Sequence, residues 1–144
     1  MRFPSLGPGL GIACTLLILS GVAGCGRGYY PVSGVVKYHD GKPFTKGMVV
    51  FESKEGERPI MARGEVQPDG TFQLSTIKPG DGLPSGKYRV LFAPRVDIVS
   101  PTPERDRLID KRFTEFSTSG LEYEVKPDAN HFSIQVTYAG KVRR

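Results

Sequence analysis

The sequence predicts an all-β domain, a seven-stranded β-sandwich that follows an N-terminal leader. No stretch holds a helical period, whereas short runs of β-branched and aromatic residues recur between turn signals. The 144 residues include 18 Gly and 12 Pro, a content typical of short strands joined by turns rather than of helical bundles. Seven such runs at this spacing indicate a β-sandwich.

Residues 1–24 are predicted to be a cleaved leader rather than part of the fold. Arg2 supplies a positive charge, and Leu10–Leu19 (LGIACTLLIL) is an uncharged apolar run. This run has the length of a signal-peptide core and is shorter than the ~20 residues that a membrane-spanning helix needs. We expect the chain after the leader to divide into a short tether (25–30), the sandwich (31–138) and a basic tail (139–144).

The leader ends in Val22-Ala23-Gly24-Cys25, which resembles the lipobox of bacterial lipoproteins. The resemblance implies cleavage between Gly24 and Cys25, where small side chains let a peptidase approach the backbone. The Cys25 thiol would then accept a diacylglyceryl group, because a thiolate is a strong nucleophile. Two other interpretations stay open: an ordinary secretory signal cleaved nearby, and an uncleaved anchor. Cys14 lies within the apolar run and would leave with the leader.

Acylation of Cys25 makes membrane lipid the expected partner and the cell envelope the expected location. Two or three acyl chains anchor a protein stably where one chain does not. The residue after Cys25 is Gly26, whereas in lipoproteins of Gram-negative type an Asp at this position commonly marks retention in the inner membrane. The sequence therefore favours the outer membrane, with the domain facing the periplasm.

The predicted strands are separated by identifiable turns. Asp40-Gly41 is a hairpin signal after the first strand, and Gln67-Pro68-Asp69-Gly70 has proline and glycine where a tight turn prefers them. We expect the strands on either side of this second turn, 60–66 and 71–76, to form the most secure hairpin. The seven predicted strands are 32–38, 48–53, 60–66, 71–76, 87–93, 121–125 and 131–138.

Two connecting segments are long. Residues 78–86 are rich in glycine and proline and predict an extended turn before strand 87–93. Residues 95–112 are charged and contain proline. A segment that starts near Ile109 is expected to bring Phe113 and Phe116 back to the body of the domain.

Alternation within the strands predicts which side chains face the core. Apolar residues take the odd positions of 121–125 and the even positions of 131–138. Burial of a large apolar side chain contributes about 1.5–3 kcal/mol, so the set can stabilise the domain without a disulfide. The predicted core is Val32, Val36, Val50, Phe72, Leu74, Tyr88, Val90, Phe92, Tyr123, Val125, Phe132, Ile134 and Val136.

Four segments carry a family resemblance. They are VSGVVKYHDGKPFTKGMVVF (32–51), GEVQPDGTFQLST (64–76), KPGDGLPSGKYRVLF (78–92) and TSGLEYEVKPDANHFSIQV (118–136). Together they resemble bacterial lipoproteins with a transthyretin-like, carboxypeptidase-regulatory-like domain. The resemblance implies a prealbumin-like Greek-key sandwich on the cell envelope. It implies no catalytic activity, because this fold hosts many roles.

Charge and motifs argue against an enzyme and against a nucleic-acid binder. Leaving out Arg2, 19 of the 20 basic residues remain against 15 acidic ones, a mild excess. The sequence contains neither G-x-S-x-G nor H-E-x-x-H, so we expect no catalytic residues and no cofactor.

The candidate metal ligands are scattered. His39 and His131 are interpreted as solvated histidines of a turn and a strand start, which argues against zinc. Several acidic residues lie near turns but lack the spacing of a calcium loop. These are Glu55, Glu57, Asp69, Asp81, Asp97 and Asp128.

Lys37 and Asn130 form a candidate isopeptide pair, because surface-adhesin sandwiches link a lysine of one strand to an asparagine of another. The reaction needs a buried, neutral lysine. Alternation places Lys37 on the face opposite Val36 and Tyr38, so a solvated lysine and a turn asparagine is the favoured interpretation.

The sequence therefore predicts a lipid-anchored envelope β-sandwich that acts as a non-catalytic structural or protein-interaction module. The alternative is a ligand-binding module for an envelope glycan or a metal ion. Six tyrosines offer stacking surfaces for a glycan, although alternation turns several of them toward the core.

Overall fold

The computed structural model describes residues 28–45, 47–93 and 109–140, and it confirms the all-β prediction. Each predicted strand is present, with bounds that differ by up to three residues. The strands are β1 (Tyr29–Tyr30), β2 (Val32–Tyr38), β3 (Met48–Ser53), β4 (Met61–Glu65), β5 (Thr71–Gln73), β6 (Leu83–Pro84), β7 (Gly86–Ala93), β8 (Leu121–Val125) and β9 (Asn130–Val136). A 3₁₀ turn (Lys111–Thr114) and the short helix α1 (Phe116–Ser119) precede β8. Within the described ranges, no helix has the length and apolar character that crossing a membrane requires.

The strands form two main sheets. One has three strands in the order β5-β2-β9, and the other has four in the order β4-β3-β7-β8. All pairings are antiparallel except that of β2 with β9, which runs parallel from Val32 opposite Asn130 to Tyr38 opposite Val136. The two strands β1 and β6 pair separately.

The inner faces of the two sheets pack against each other around Phe51. Its ring centroid lies 6.3 Å from that of Phe72 and 6.1 Å from that of Phe132, both on the other sheet. The predicted core is confirmed at most positions, with Tyr123 and Phe132 only half-buried. The prediction that Val50 faces the core between the sheets is wrong. Its neighbours Val49 and Phe51 face the core, so Val50, although buried, points to the opposite face of β3.

The predicted hairpin of 60–66 with 71–76 is wrong. The turn itself forms, with the Gln67 N–H donating to the Thr71 carbonyl at 2.8 Å. Beyond it, β4 pairs with β3 and β5 pairs with β2, and a single bridge between Arg63 and Ser75 links the two arms. The reason is packing: Phe72 buries its ring on the inner face of the three-stranded sheet, directly over Gly34.

Tyr29 and Tyr30, which were expected to belong to the tether, instead form β1 and pair with β6. The prediction for the segment that starts near Ile109 is confirmed for Phe113, which is buried in the core together with Ile109, whereas Phe116 is only half-buried. The Asp110 N–H donates to the Thr137 carbonyl at 3.0 Å and fixes this segment beside the end of β9. Cys14, Gly24, Cys25, Asp97 and the end of the basic tail lie outside the described residues.

Candidate functional site

The parallel pairing of β2 with β9 brings two tyrosines together at one end of the fold. Tyr38 ends β2, and Tyr138 lies two residues beyond the end of β9. Their rings stack with centroids 3.8 Å apart and planes 9° apart. The seven residues of β2 place this end about 20 Å from the start of the strand at Val32.

The turn after β2 adds an acid to this stack. The Tyr38 N–H donates to the Lys42 carbonyl at 2.8 Å, and Gly41, with a φ of 85°, lets the chain reverse. Asp40 thereby reaches Tyr138, whose hydroxyl donates to Asp40 Oδ2 at 3.0 Å. Lys42 Nζ lies 3.6 Å from the same oxygen. We call Tyr38, His39, Asp40, Lys42 and Tyr138 the Tyr–Asp cluster.

The cluster rests on the core through Phe44, which is buried. The ring of Phe44 contacts Tyr38 edge-on at 6.0 Å and Phe92 at 5.5 Å. His39 lies on the outer side, with its ring edge-on to Tyr138 at 5.7 Å. Edge-to-face and offset-stacked rings are the favoured aromatic geometries, so the stack holds Tyr138 in a defined position although it lies at the surface.

The electrostatics of the cluster keep Asp40 ionised and the tyrosines neutral. Partial desolvation acts to raise the pKa of Asp40, but hydrogen bonds from the Lys42 amide and the Tyr138 hydroxyl, with the Lys42 charge, lower it below its usual range. Desolvation, followed by the proximity of Tyr138 and Asp40, raises the pKa of Tyr38 to about 12. Desolvation and the Asp40 carboxylate also raise the pKa of Tyr138. The cluster thus holds an ionised carboxylate, with the exposed Lys42 ammonium 3.6 Å away, beside the half-buried ring of Tyr138.

A carboxylate beside stacked rings can hold a cation or a hydrogen-bond donor that carries an apolar or planar part. A lysine or arginine side chain of a protein partner has this chemistry, because cations are attracted both to carboxylates and to aromatic faces. Sequence reasoning placed Tyr38 and Tyr138 inward and His39 and Asp40 in a turn. It missed their association, which a parallel pairing of the first and last strands would have revealed.

The structure does not bring Lys37 and Asn130 together. Lys37 is exposed and lies opposite Gln135, whereas Asn130 lies opposite Val32 at the other end of β9. The Asn130 side chain is occupied in its own turn, where it accepts from the Lys126 N–H at 2.9 Å and donates to two carbonyls.

The His131 ring lies close to the Ser33 hydroxyl, a potential nucleophile. Its Nδ1 lies 3.2 Å from Ser33 Oγ on the exposed face of the three-stranded sheet. Among the described residues no carboxylate is seen to accept a hydrogen bond from the His131 ring, which is the contact that orients a catalytic histidine.

Two of the acidic residues near turns, Asp69 and Asp81, accept hydrogen bonds from residues of their own turns. Asp69 accepts from the Thr71 hydroxyl at 2.6 Å and from its N–H at 3.0 Å, and these bonds lower the pKa of Asp69. Asp81 accepts from the N–H groups of Thr76, Ile77 and Lys78 at 2.7–3.0 Å. Desolvation acts to raise the pKa of Asp81, but these three bonds lower it. Within the described residues, no three His, Cys, Asp or Glu side chains are grouped as a metal site would require.

An open groove of about 440 Å³ lies where β4 and β5 diverge into different sheets. Its lining is mostly polar and includes a carboxylate, two amides and a hydroxyl. The lining residues are Glu65, Gln67, Thr71, Phe72 and Gln73. Sequence reasoning could not find this groove, because it expected the two strands to pair.

Comparison with known protein families, with curated proteins and with solved structures found no match for this chain.

Proposed function

We propose that the protein is a lipid-anchored domain of the cell envelope that acts as a non-catalytic protein-interaction module. The observation that carries the proposal is the position of the Tyr–Asp cluster relative to Cys25 along the domain. The chain enters at β1, four residues after Cys25, and the Tyr–Asp cluster lies at the opposite end of β2. A short tether at one end and a preorganised binding surface at the other suit a domain that presents a contact site to a partner.

A prealbumin-like Greek-key architecture belongs to the same proposal. The strand orders β5-β2-β9 and β4-β3-β7-β8, with one parallel pair between the first and last long strands, support it. The lipobox resemblance supports the anchor, and Gly26 in place of an Asp after Cys25 supports an outer-membrane location facing the periplasm.

The anchor is tested by labelling cells with a radioactive fatty acid. We expect wild type and Cys14→Ala to take up the label into the membrane fraction, and Cys25→Ala to lose it. Cys14→Ala is the matched control, since it also removes a thiol. Label retained by Cys25→Ala would overturn the anchor, and density-gradient separation of the membranes tests the outer-membrane assignment.

The interaction role is tested at the Tyr–Asp cluster by crosslinking in intact membranes. We expect wild type to give a discrete heterologous crosslinked product, which Asp40→Lys loses because a cation repels the basic side chain that Asp40 is proposed to hold. Glu57→Lys makes the same charge change on an exposed loop and should retain the product. A pattern identical in all three proteins would contradict the assignment of the cluster.

A second candidate function is glycan binding in the β4–β5 groove, which the amides and hydroxyl of its lining favour. Oligosaccharides of the cell wall should raise the unfolding temperature by mass action. Gln73→Ala should abolish the shift, and Gln135→Ala, on the same sheet face but outside the groove, should keep it. No shift with any oligosaccharide would remove this candidate.

A further inference from the structure

In the described part of the chain the two sheets end in four edge strands, and one of them has neither the charges, the proline nor the short length that usually oppose pairing. β4 carries Arg63 and Glu65, β8 carries Glu122 and Glu124, and β5 is three residues long. β9 spans seven residues (NHFSIQV) with no Asp, Glu, Lys, Arg or Pro. Natural proteins protect edge strands with charges, prolines or short length, so β9 stands apart.

The main chain of β9 shows which groups face outward. The Asn130 N–H donates to the Pro31 carbonyl and the Val136 carbonyl accepts from the His39 N–H, so the even positions face β2. The N–H and C=O groups of 131, 133 and 135 therefore point away from β2. One step further, the Thr137 carbonyl already accepts from Asp110. Along 131–135, no strand of the described chain lies beside this edge.

Apolar side chains lie next to the same edge. Phe132 and Tyr123 have ring centroids 4.9 Å apart where β9 and β8 approach, and both rings are only half-buried. Leu121, two residues before Tyr123 on β8, is also half-buried. A strand added to β9 would cover Phe132 and satisfy three outward-facing backbone positions at once.

We propose that β9 of a second copy of this chain occupies the edge, antiparallel and centred on Ser133. In this register His131 lies opposite Gln135 of the second copy, Ser133 opposite Ser133, and Phe132 opposite Ile134. The outward backbone groups at 131, 133 and 135 then fall into hydrogen-bonded pairs, with about six main-chain bonds in total. Polar side chains face polar ones and apolar face apolar, with no like charges opposed.

The contact is a twofold, isologous one. Rotation about an axis normal to the sheet leaves both chain starts at the same height along that axis. The pairing itself does not rest on the proposed anchor or on the Tyr–Asp cluster, so failure of the Cys25 experiment leaves it standing and the reverse also holds.

The first test is disulfide crosslinking of the full chain in membranes. Residues in a hydrogen-bonded antiparallel pair have Cα atoms about 5.5 Å apart, within the range that a disulfide spans. Ser133→Cys should give a dimer on a non-reducing gel under mild oxidation. Thr71→Cys, on the β5 edge of the same sheet, and wild type, which reports on Cys14 and Cys25, should not. No Ser133→Cys dimer, or equal dimer in all three, would overturn the proposal.

The second test uses charge and the mass of the detergent-solubilised full chain. We expect wild type to be a dimer, and Ser133→Lys and Ser133→Glu to be folded monomers with at least a tenfold lower dimer fraction. The two variants mixed should pair again, because opposite charges then meet across the twofold axis. Thr71→Lys should remain a dimer. Wild type that is monomeric at every soluble concentration would refute the dimer. A mixture of Ser133→Lys and Ser133→Glu that stays monomeric would refute the register.

Discussion

The Tyr138 hydroxyl donates a hydrogen bond to Asp40 Oδ2 at 3.0 Å, across 98 positions of sequence. This bond exists because the first long strand and the last run parallel and end together. It joins the turn after β2 to the segment after β9, so the Tyr–Asp cluster depends on the correct pairing of the two ends of the domain.

Loss of this bond should be visible in the ionisation of Asp40. Tyr138→Phe keeps the stacked ring and removes the donor, so we expect the pKa of Asp40 to rise toward its usual range. Carboxyl ¹³C NMR over a pH titration measures this. Tyr29→Phe, at an exposed tyrosine far from the cluster, should leave the Asp40 titration unchanged. An unchanged Asp40 pKa in Tyr138→Phe would show that the hydrogen bond does not form in solution.

Asp81 should make the domain sensitive to acid. Its pKa is lowered in the folded state by three backbone N–H groups. Its contribution to stability is therefore present above the unfolded pKa of about 3.9 and is lost as the pH falls through the folded pKa. Asp81→Asn should destabilise the protein at pH 7. In this variant the unfolding temperature should also fall less steeply than in wild type as the pH is lowered. An identical dependence of the unfolding temperature on pH in wild type and Asp81→Asn would contradict the prediction.

Gly34 should tolerate no side chain. A Cβ at this position would lie 2.3 Å from the Phe132 carbonyl oxygen and 2.6 Å from Phe72 Cζ. Gly34→Ala should therefore cost about 1–3 kcal/mol of unfolding free energy, the usual penalty for overpacking, or prevent folding. Gly140→Ala, where a Cβ meets nothing within 4 Å, should be nearly neutral in the same urea titration. Equal stabilities for the two variants would mean that the Phe72 ring does not lie over Gly34.

Phe51 should be among the most costly core positions. It is fully buried and contacts rings on both sheets, so Phe51→Ala should lower the unfolding free energy by about 3–5 kcal/mol. Ile77→Ala is the control, since Ile77 is 73% exposed and should change stability by less than about 0.5 kcal/mol. A small loss for Phe51→Ala would contradict the face-to-face packing of the sheets.

Local sequence patterns predicted the strands well because alternation and turn chemistry are local. Leu121–Val125 and 131–138 alternate clearly, and their core-facing residues were assigned correctly. Met48–Phe51 (MVVF) has no alternation, so Val50 was assigned to the wrong face. The Pro-Asp-Gly turn at 68–70 predicted a reversal, but a reversal does not specify whether the returning strand joins the same sheet or the other one.

Local sequence patterns did not predict the Tyr–Asp cluster. Tyr38 and Asp40 stand in a recognisable turn, and Tyr138 follows the last strand, but nothing local links the two regions. The β4–β5 groove is likewise a product of two strands that separate. The sequence shows that β9 carries no charged residue. That β9 is an edge strand follows only from its pairing with β2.

By itself, the sequence determined an all-β class, the positions of the strands and most of the core, and its apolar N-terminal run and Cys25 motivate the anchor proposal. These follow from periodicity, turn residues and short motifs, which act within about ten residues. Tertiary structure alone decided the parallel pairing of β2 with β9, the sheet that each strand joins, and the contact between Tyr138 and Asp40. Those depend on which apolar faces can pack together, with Phe72 over Gly34 and Phe51 between the sheets, and such contacts join residues that are distant along the chain.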